Sequence, residues 1–245
     1  MGVIDSRLNE KEMKFLWNAI SKKNKMNVNH VLAGNISKSE NLIDNNNWFF
    51  ESCLKVKCEK IFYSNWEEYY RFKILKEEKS PEWFLKSLWV NYQKQHEFNP
   101  PHYHQGGIGF SFVVFMKIPT HWKEQHALPF VGNANSPAAS NFAFINPGQP
   151  PDRNISFFDI KLSSEDEGRM LFFPSSQYHQ VYPFYGTEEE RITISGNIQI
   201  KSSLIKSSAE VEDASPHIEE LKTHIKVMEH NINLAKKRLK SVDYE

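Results

Sequence analysis

The stretch that most constrains the fold is residues 110–118. It reads Phe-Ser-Phe-Val-Val-Phe-Met-Lys-Ile, and its apolar side chains fall on both faces of an extended strand. A strand that is apolar on both faces has to be covered on both sides, which is typical of the centre of a sheet. The sequence therefore predicts a central, doubly covered strand at this point.

Further strand patterns surround this run. They lie at residues 85–93, 141–145, 156–162, 168–174 and 191–200, with a weaker one at 31–34. Turn-forming residues separate them, and strand and helix do not alternate repeatedly as they do in parallel sheets. We therefore predict a mainly β protein with flanking helices, whose core is an antiparallel double-stranded β-helix, or jelly roll.

Two helices are predicted before this core. In the first, Asn9 can cap the helix and Glu12 can return a hydrogen bond to the backbone of the cap. A looser helical pattern follows at residues 48–62. We expect residues 1–84 to form a mixed helical flank and residues 85–200 to form the core.

Two segments depart from the strand pattern. Residues 120–168 are rich in Pro, Asn, Ser and Gly, and we expect them to be an insertion that forms a rim or lid rather than core. After a polar linker that begins at residue 201, apolar residues recur at alternating three- and four-residue steps. This pattern predicts a C-terminal helix at residues 216–240, which either docks on the barrel or pairs with a second copy as a short coiled coil.

Composition excludes several classes of partner. The 245-residue chain has 30 basic and 30 acidic residues, so its zero net charge does not favour nucleic acid or anionic membranes. No apolar run is long enough to span a bilayer, and two cysteines, Cys53 and Cys58, are too few for a disulfide framework. We therefore expect a reduced, cytoplasmic protein that binds neither nucleic acid nor membranes.

His102 and His104 stand two residues apart in the run Asn-Pro-Pro-His-Tyr-His. On extended backbone, side chains two residues apart point the same way, so both imidazoles can share one metal ion. Taken alone, they could equally be ordinary polar residues at a strand edge. His179 follows a short strand that ends at Pro174, and Arg191 lies twelve residues after it.

In this order the motifs resemble the 2-oxoglutarate- and iron-dependent oxygenases, and more narrowly a branch found in bacteria and tailed phages. The runs that carry the resemblance are Trp-Val-Asn-Tyr-Gln at 89–93, Asn-Pro-Pro-His-Tyr-His at 99–104, Gly-Arg-Met-Leu-Phe-Phe-Pro-Ser at 168–175, His-Gln-Val-Tyr-Pro at 179–183 and Arg-Ile-Thr-Ile-Ser-Gly-Asn at 191–197. The resemblance is strong over residues 85–200, loose before them, and does not include the C-terminal helix.

The resemblance implies a non-haem dioxygenase that uses Fe(II), 2-oxoglutarate and O₂ to hydroxylate a substrate, with release of succinate and CO₂. It implies that His102, His104 and His179 hold the metal. The substrate would be a small molecule or a peptide, with an amino-acid side chain as the target and a prolyl side chain as the analogy within the family. The expected location is the cytoplasm of a bacterium, or of an infected host cell if a phage encodes the protein.

The resemblance also assigns the cosubstrate. Arg191 would bind the distal carboxylate of 2-oxoglutarate, Thr193 would add a hydroxyl, and Asn91 could reach the same molecule from a neighbouring strand. The alternative for Arg191 is a surface salt bridge to the glutamates at residues 188–190.

One residue departs from the wider family, which usually has a carboxylate at the position of His104. Asp152 or Asp159 from the insertion could supply a substitute ligand. Two other functions therefore stay open: a metal-bearing binding module without oxygenase activity, and a three-histidine dioxygenase of the cupin type that does not use 2-oxoglutarate. The second of these has no use for Arg191, which distinguishes it from the oxygenase.

Overall fold

The structure is a computed structural model that describes residues 2–64, 81–104, 109–148 and 154–201. One compact unit spans residues 1–63 and 82–201, and the fold below is that of this unit. The second unit, residues 64–81 and 202–245, lies almost entirely outside the described residues, and so does the predicted C-terminal helix. Among the described helices, none is long and apolar enough to cross a membrane.

Most of the unit is β-structure. The strands are β1 (Ile4–Arg7), β2 (Lys38–Asn41), β3 (Trp83–Gln93), β4 (Asn99–His102), β5 (Gly109–Lys117), β6 (Phe142–Asn146), β7 (Ser156–Ile160), β8 (Arg169–Pro174), β9 (Tyr178–Val181) and β10 (Arg191–Ile200). The α-helices are α1 (Glu10–Ser21), α2 (Lys55–Ser64), α3 (Trp122–His126) and α4 (Pro129–Gly132). A π-helical turn at Phe50–Leu54 leads directly into α2, and 3-10 turns lie at Asn29–Val31, Asn45–Asn47 and Ser164–Asp166.

The strands form two antiparallel sheets. The larger has the order β1-β8-β5-β10-β3-β2, and the smaller has the order β4-β9-β6-β7. Side chains from both pack into one core: the ring centroids of Phe144 in the small sheet and Phe173 in the large sheet are 5.0 Å apart. This pairing of two antiparallel sheets is the jelly roll that the sequence predicted.

Strand β5 confirms the prediction of a doubly covered centre. It lies between β8 and β10, and its residues are buried from the first to the eighth. On one face Phe115 packs into the core between the sheets, with its ring centroid 6.3 Å from that of Phe142. On the other face Phe112 contacts Phe49, which precedes α2, at 6.1 Å. The helical flank thus covers the outer face of the large sheet.

The two N-terminal helices are confirmed, and the predicted strand at 31–34 is wrong. At α1 the Asn9 side chain accepts from the Glu12 backbone N–H at 3.0 Å, and Glu12 accepts from the Asn9 N–H at 2.8 Å. This reciprocal cap satisfies two donors that a helix start leaves unpaired. The extended segment of this region is instead β2, which pairs with β3 at the edge of the large sheet.

The expectation that residues 120–168 form a rim rather than core is corrected for their second half. Strand β6 lies inside the small sheet, between β9 and β7, and Phe142 and Phe144 are fully buried. Only five residues long, β6 is flanked by polar, turn-rich sequence, which dominates the composition of the whole segment. The first half does form surface structure, namely helices α3 and α4.

Candidate active site

Three histidines converge where the small sheet meets the large one. One ring nitrogen from each of His102, His104 and His179 lies within 4.8 Å of those of the other two. His102 on β4 is directly opposite His179 on β9, with ring centroids 4.2 Å apart. His104 lies two residues after His102, and its ring centroid is 5.2 Å from that of His179. The structure thus brings together all three residues that the resemblance implies as metal ligands.

A β-bulge in β4 aims the first pair of histidines. Asn99 pairs with Val181 and His102 pairs with His179, so β4 has one residue more than β9 between the two pairs. Pro100 or Pro101 is the extra residue, and proline is tolerated at a bulge because it has no N–H to lose from the ladder. As a result, Asn99 and His102 both line the cavity although three positions separate them.

Backbone carbonyls fix how two of the rings are protonated. Nδ1 of His102 lies 2.7 Å from the Pro100 carbonyl oxygen, and Nδ1 of His179 lies 3.0 Å from the Gln177 carbonyl oxygen. A carbonyl oxygen only accepts, so each Nδ1 carries the proton and donates it. The lone pair is then left on Nε2, as a metal ligand requires, and the carbonyl orients the ring.

Burial keeps these imidazoles neutral. His179 is buried among aromatic rings, 4.9 Å from Phe173, and this burial lowers its pKa well below the usual value. Burial, with the neighbouring His102, lowers the pKa of His104 to about 4. Burial also lowers the pKa of His102, although its bond to Pro100 acts in the opposite direction. Neutral rings near pH 7 are the form that binds metal.

Arg191 lies at the start of β10 and is completely buried. Its terminal nitrogens donate to the Gln93 Oε1 at 3.4 Å and to the Ser140 carbonyl at 3.0 Å. Its Nε has no hydrogen-bond partner among the described residues. Burial lowers the pKa of Arg191 to about 9, and no acidic group among the described residues opposes this effect. A buried guanidinium without a counter-ion is unusual, because its desolvation is not repaid.

The alternative role for Arg191, a surface salt bridge to residues 188–190, is not found among the described residues. Glu189 is exposed and pairs with Lys117 at 2.7 Å, while Glu188 accepts from Gln95. Arg191 instead lines the same cavity as the three histidines. The structure therefore leaves its charge directed at the inside of the jelly roll.

Sequence reasoning missed Ser140, the residue that holds Arg191. Ser140 is fully buried in a left-handed conformation, with φ of 70°, which is uncommon for a residue other than glycine. In that conformation its hydroxyl and its carbonyl both accept from the same Arg191 nitrogen, at 2.5 and 3.0 Å. Nothing in the spacing of the sequence marks Ser140, because it lies 51 residues from Arg191.

Alternation along β3 and β10 places the other predicted residues. Asn91 is directly opposite Thr193, and the Asn91 amide lies 3.4 Å from the Thr193 hydroxyl. Ser39 donates to the Asn91 Oδ1 at 2.8 Å, which fixes the amide so that its N–H groups point toward β10. Asn91 and Thr193 line the cavity, as does Trp89 on the same face of β3.

Asp159 and two further histidines, His121 and His126, lie outside the histidine cluster. Asp159 is exposed on β7 and belongs neither to the histidine cluster nor to the cavity wall, so it is not a substitute ligand. His121 caps α3, and His126 pairs with Asn141 at 3.1 Å. Asp152 lies outside the described residues.

Comparison with protein families identifies this core. Residues 87–197 match a family model described as "Putative 2OG-Fe(II) oxygenase", and the match includes the histidines, Arg191, Thr193 and Asn91. This segment, which is less than half of the chain, is thus similar to the family. No curated protein sequence matches the chain.

Solved structures similar to this chain are distant in sequence. One is an oxidoreductase of the 2OG-Fe(II) oxygenase family from Burkholderia pseudomallei, at 11% identity, covering 81% of this chain and 85% of that one with a TM-score of 0.48. Another is a prolyl-4-hydroxylase from Pseudomonas putida, at 10% identity, covering 82% and 93% with a TM-score of 0.47. A third is HygX from Streptomyces hygroscopicus with nickel and 2-oxoglutarate bound, at 8% identity, covering 82% and 83% with a TM-score of 0.42.

The residues that line the cavity fit the two groups in the name of the matched family, Fe(II) and 2-oxoglutarate. Three neutral imidazoles with lone pairs in one space suit a divalent transition metal. The unpaired Nε of the buried Arg191 suits a carboxylate, which would supply the missing counter-charge. The donor set differs from two histidines and a carboxylate, because His104 is neutral and no Asp or Glu is among the described residues that line the cavity.

Proposed function

We propose that this chain is a non-haem Fe(II) and 2-oxoglutarate-dependent dioxygenase that hydroxylates an amino-acid side chain, free or within a peptide. One observation carries the proposal: a three-histidine cluster and a buried arginine, which has no counter-ion among the described residues, line one cavity. Either feature alone has a structural explanation. Together they match a metal ion and an anion that binds beside it.

In this proposal each residue has a defined task. His102, His104 and His179 hold the iron through ring nitrogens, and Arg191 binds the distal carboxylate of 2-oxoglutarate. The bound iron, with 2-oxoglutarate and O₂, supplies the oxidative chemistry, whose products are hydroxylated substrate, succinate and CO₂.

The chain's other residues position and shield these groups. Ser140 and Gln93 hold the guanidinium from the side, so that it presents a fixed donor to the carboxylate. Thr193 and Asn91 add a hydroxyl and an amide on the same wall. Phe142 and Phe173 pack against His179 and limit the access of water to that side.

His104 favours a second candidate, a metal-bearing binding module without turnover. A site of three neutral ligands keeps the full charge of the ion, which alters the redox balance that oxygenase chemistry needs. Arg191 favours the oxygenase over a three-histidine dioxygenase without 2-oxoglutarate, because that enzyme needs no buried cation at this position.

The test is release of succinate from 2-oxoglutarate. Purified protein given Fe(II) and O₂ is expected to form succinate slowly without substrate and faster with peptides that contain the correct side chain. The reaction is expected to stop in His179→Ala and in Arg191→Ala, and to continue in His30→Ala, which changes an exposed histidine outside the cavity.

Two results would contradict the proposal. Unchanged succinate release in His179→Ala would exclude the metal site. Tight binding of metal by the wild-type protein without any succinate, over a broad set of peptide and amino-acid substrates including prolyl ones, would favour the binding module.

A further inference from the structure

The cavity carries positive charge and no fixed negative charge among its described residues. Its wall includes the Arg191 guanidinium and three histidines, and it includes no aspartate or glutamate. Of the glutamates nearest in sequence to Arg191, Glu188 and Glu189 are exposed and Glu190 is half-buried. None of them lines the cavity, and Glu189 pairs with Lys117. A divalent ion that enters this site is therefore added to an existing positive charge.

Burial opposes the binding of a metal cation beside the charged Arg191. Two cationic groups in a partly desolvated space repel each other more strongly than in water, because the interior screens charge poorly. Two histidines and a carboxylate would lower the charge of the bound ion by one. Here His104 provides only the neutral lone pair of an imidazole, so all of the ion's charge remains.

A dianion resolves this imbalance at both ends of the cavity. A 2-oxo dicarboxylate can place one carboxylate on Arg191 and approach the ion with its oxo acid end. It then offsets two of the three positive charges that the ion and the guanidinium bring together. Because binding free energies are reciprocal, each ligand must strengthen the binding of the other by the same factor.

We propose that metal and dicarboxylate bind to this chain as a strongly coupled pair, and that His104 is the residue that sets the strength of the coupling. The inference rests on the proposed function and deepens it. The metal alone binds weakly, and the dicarboxylate completes its site. Holding little metal without 2-oxoglutarate, the protein would assemble its active centre only when the cosubstrate is present.

The experiment measures metal binding instead of turnover. The full chain is titrated with Ni(II), in calorimetry without O₂, in the absence and in the presence of saturating N-oxalylglycine, an analogue of 2-oxoglutarate. We expect the Kd for Ni(II) to fall at least about tenfold when the dianion is present, within the range usual for coupled sites. A monocarboxylate such as 2-oxobutyrate, which has no second carboxylate for Arg191, is expected to produce a smaller change.

His104→Asp tests the role of His104 directly. Restoring a carboxylate is expected to tighten binding of Ni(II) alone and to reduce the effect of N-oxalylglycine to less than half of the wild-type factor. His30→Ala, which changes an exposed histidine, is the matched control and is expected to behave as the wild type.

The possible outcomes separate this inference from the proposed function. Equal Kd values with and without the dianion would overturn the coupling, while succinate release would still support the oxygenase. Failure to bind Ni(II) under either condition would overturn both. Because Asp152 lies outside the described residues, Asp152→Asn is included, and weaker binding of Ni(II) alone in this variant would show that a carboxylate ligand exists and would also overturn the coupling.

Discussion

The two ends of the cavity are built in different ways. At the histidine end, His102 and His179 are opposite each other on two short strands, and each is oriented by a carbonyl only two residues away. At the arginine end, the guanidinium is held by Gln93 on the neighbouring strand and by Ser140 from a distant loop. The first end is neutral and assembled from local contacts, and the second is charged and assembled from distant ones.

This difference bears on how each end should respond to change. The histidine end needs its ligands but little support, so mutations there should act on the metal and leave the fold intact. The arginine end needs several partners to hold one buried charge. Mutation of any one of these partners should therefore weaken cosubstrate binding only partly. The predictions below test that distinction.

The largest effect is expected at the histidine end. Replacing His179 by Ala removes a metal ligand and should weaken metal binding more than about 100-fold, beyond the 10- to 100-fold typical of residues that only support ligands. Circular dichroism should show an unchanged fold. If the metal Kd changes less than tenfold, as measured by calorimetry, the ring is not a ligand.

The next effect is expected for Arg191→Gln, which keeps some hydrogen bonding and removes the charge. Loss of one partner of a buried charged pair typically costs about 2–5 kcal/mol, so the affinity for N-oxalylglycine should fall at least about 30-fold. The affinity for the metal alone should stay the same or increase, since a repelling charge is gone. A parallel loss of both affinities would mean that the two ends are one structural unit.

Acid should destabilise the metal-free protein through the histidine end of the cavity and not through the arginine end. In the unfolded chain an imidazole titrates near pH 6.5, whereas burial lowers the pKa of all three histidines in the fold, that of His104 to about 4. Between these values the unfolded state binds more protons than the folded state. The free energy of unfolding should therefore decrease as the pH is lowered, by up to about 1.4 kcal/mol per pH unit for each imidazole. Arg191 stays charged over this range, because burial lowers its pKa only to about 9.

Urea unfolding at pH 7, 6 and 5 measures this dependence. A His179→Gln variant removes one titrating group and should show a shallower dependence than the wild type. Equal slopes in the two proteins would exclude His179 as a source of the acid sensitivity.

The smallest effect is expected for the support of Arg191. Ser140→Ala removes the hydroxyl that accepts from the guanidinium and keeps the carbonyl, so the affinity for N-oxalylglycine should fall by about 1 kcal/mol, roughly fivefold. In turnover, KM for 2-oxoglutarate should rise with little change in kcat, and metal binding should not change. Ser140→Gly relaxes the left-handed backbone as well, and an equal loss in both variants would assign the effect to the hydroxyl.

The sequence predicted the parts of the site that repeat at short range. Two-residue alternation was enough to place His102 beside His104, and Arg191 on one face with Thr193. It could not show that Ser140 meets Arg191, because that contact depends on how a loop from the small sheet crosses the large one. A strand was predicted at residues 141–145, but its place in the core was missed for a similar reason. The burial of β6 comes from its neighbours in space, and its five residues are too few for a clear pattern.

The bulge in β4 gives this strand a tolerance in length that substitutions would not reveal. Between its two paired positions β4 has two residues, Pro100 and Pro101, where β9 has one. Deleting one proline would leave Asn99 and His102 two residues apart, still on the same face by regular alternation. Deleting both would place the two side chains on opposite faces, so His102 would leave the cavity and the metal site would be lost although every ligand is still encoded. For this segment, the loss of one codon is thus expected to do far less damage than the loss of two.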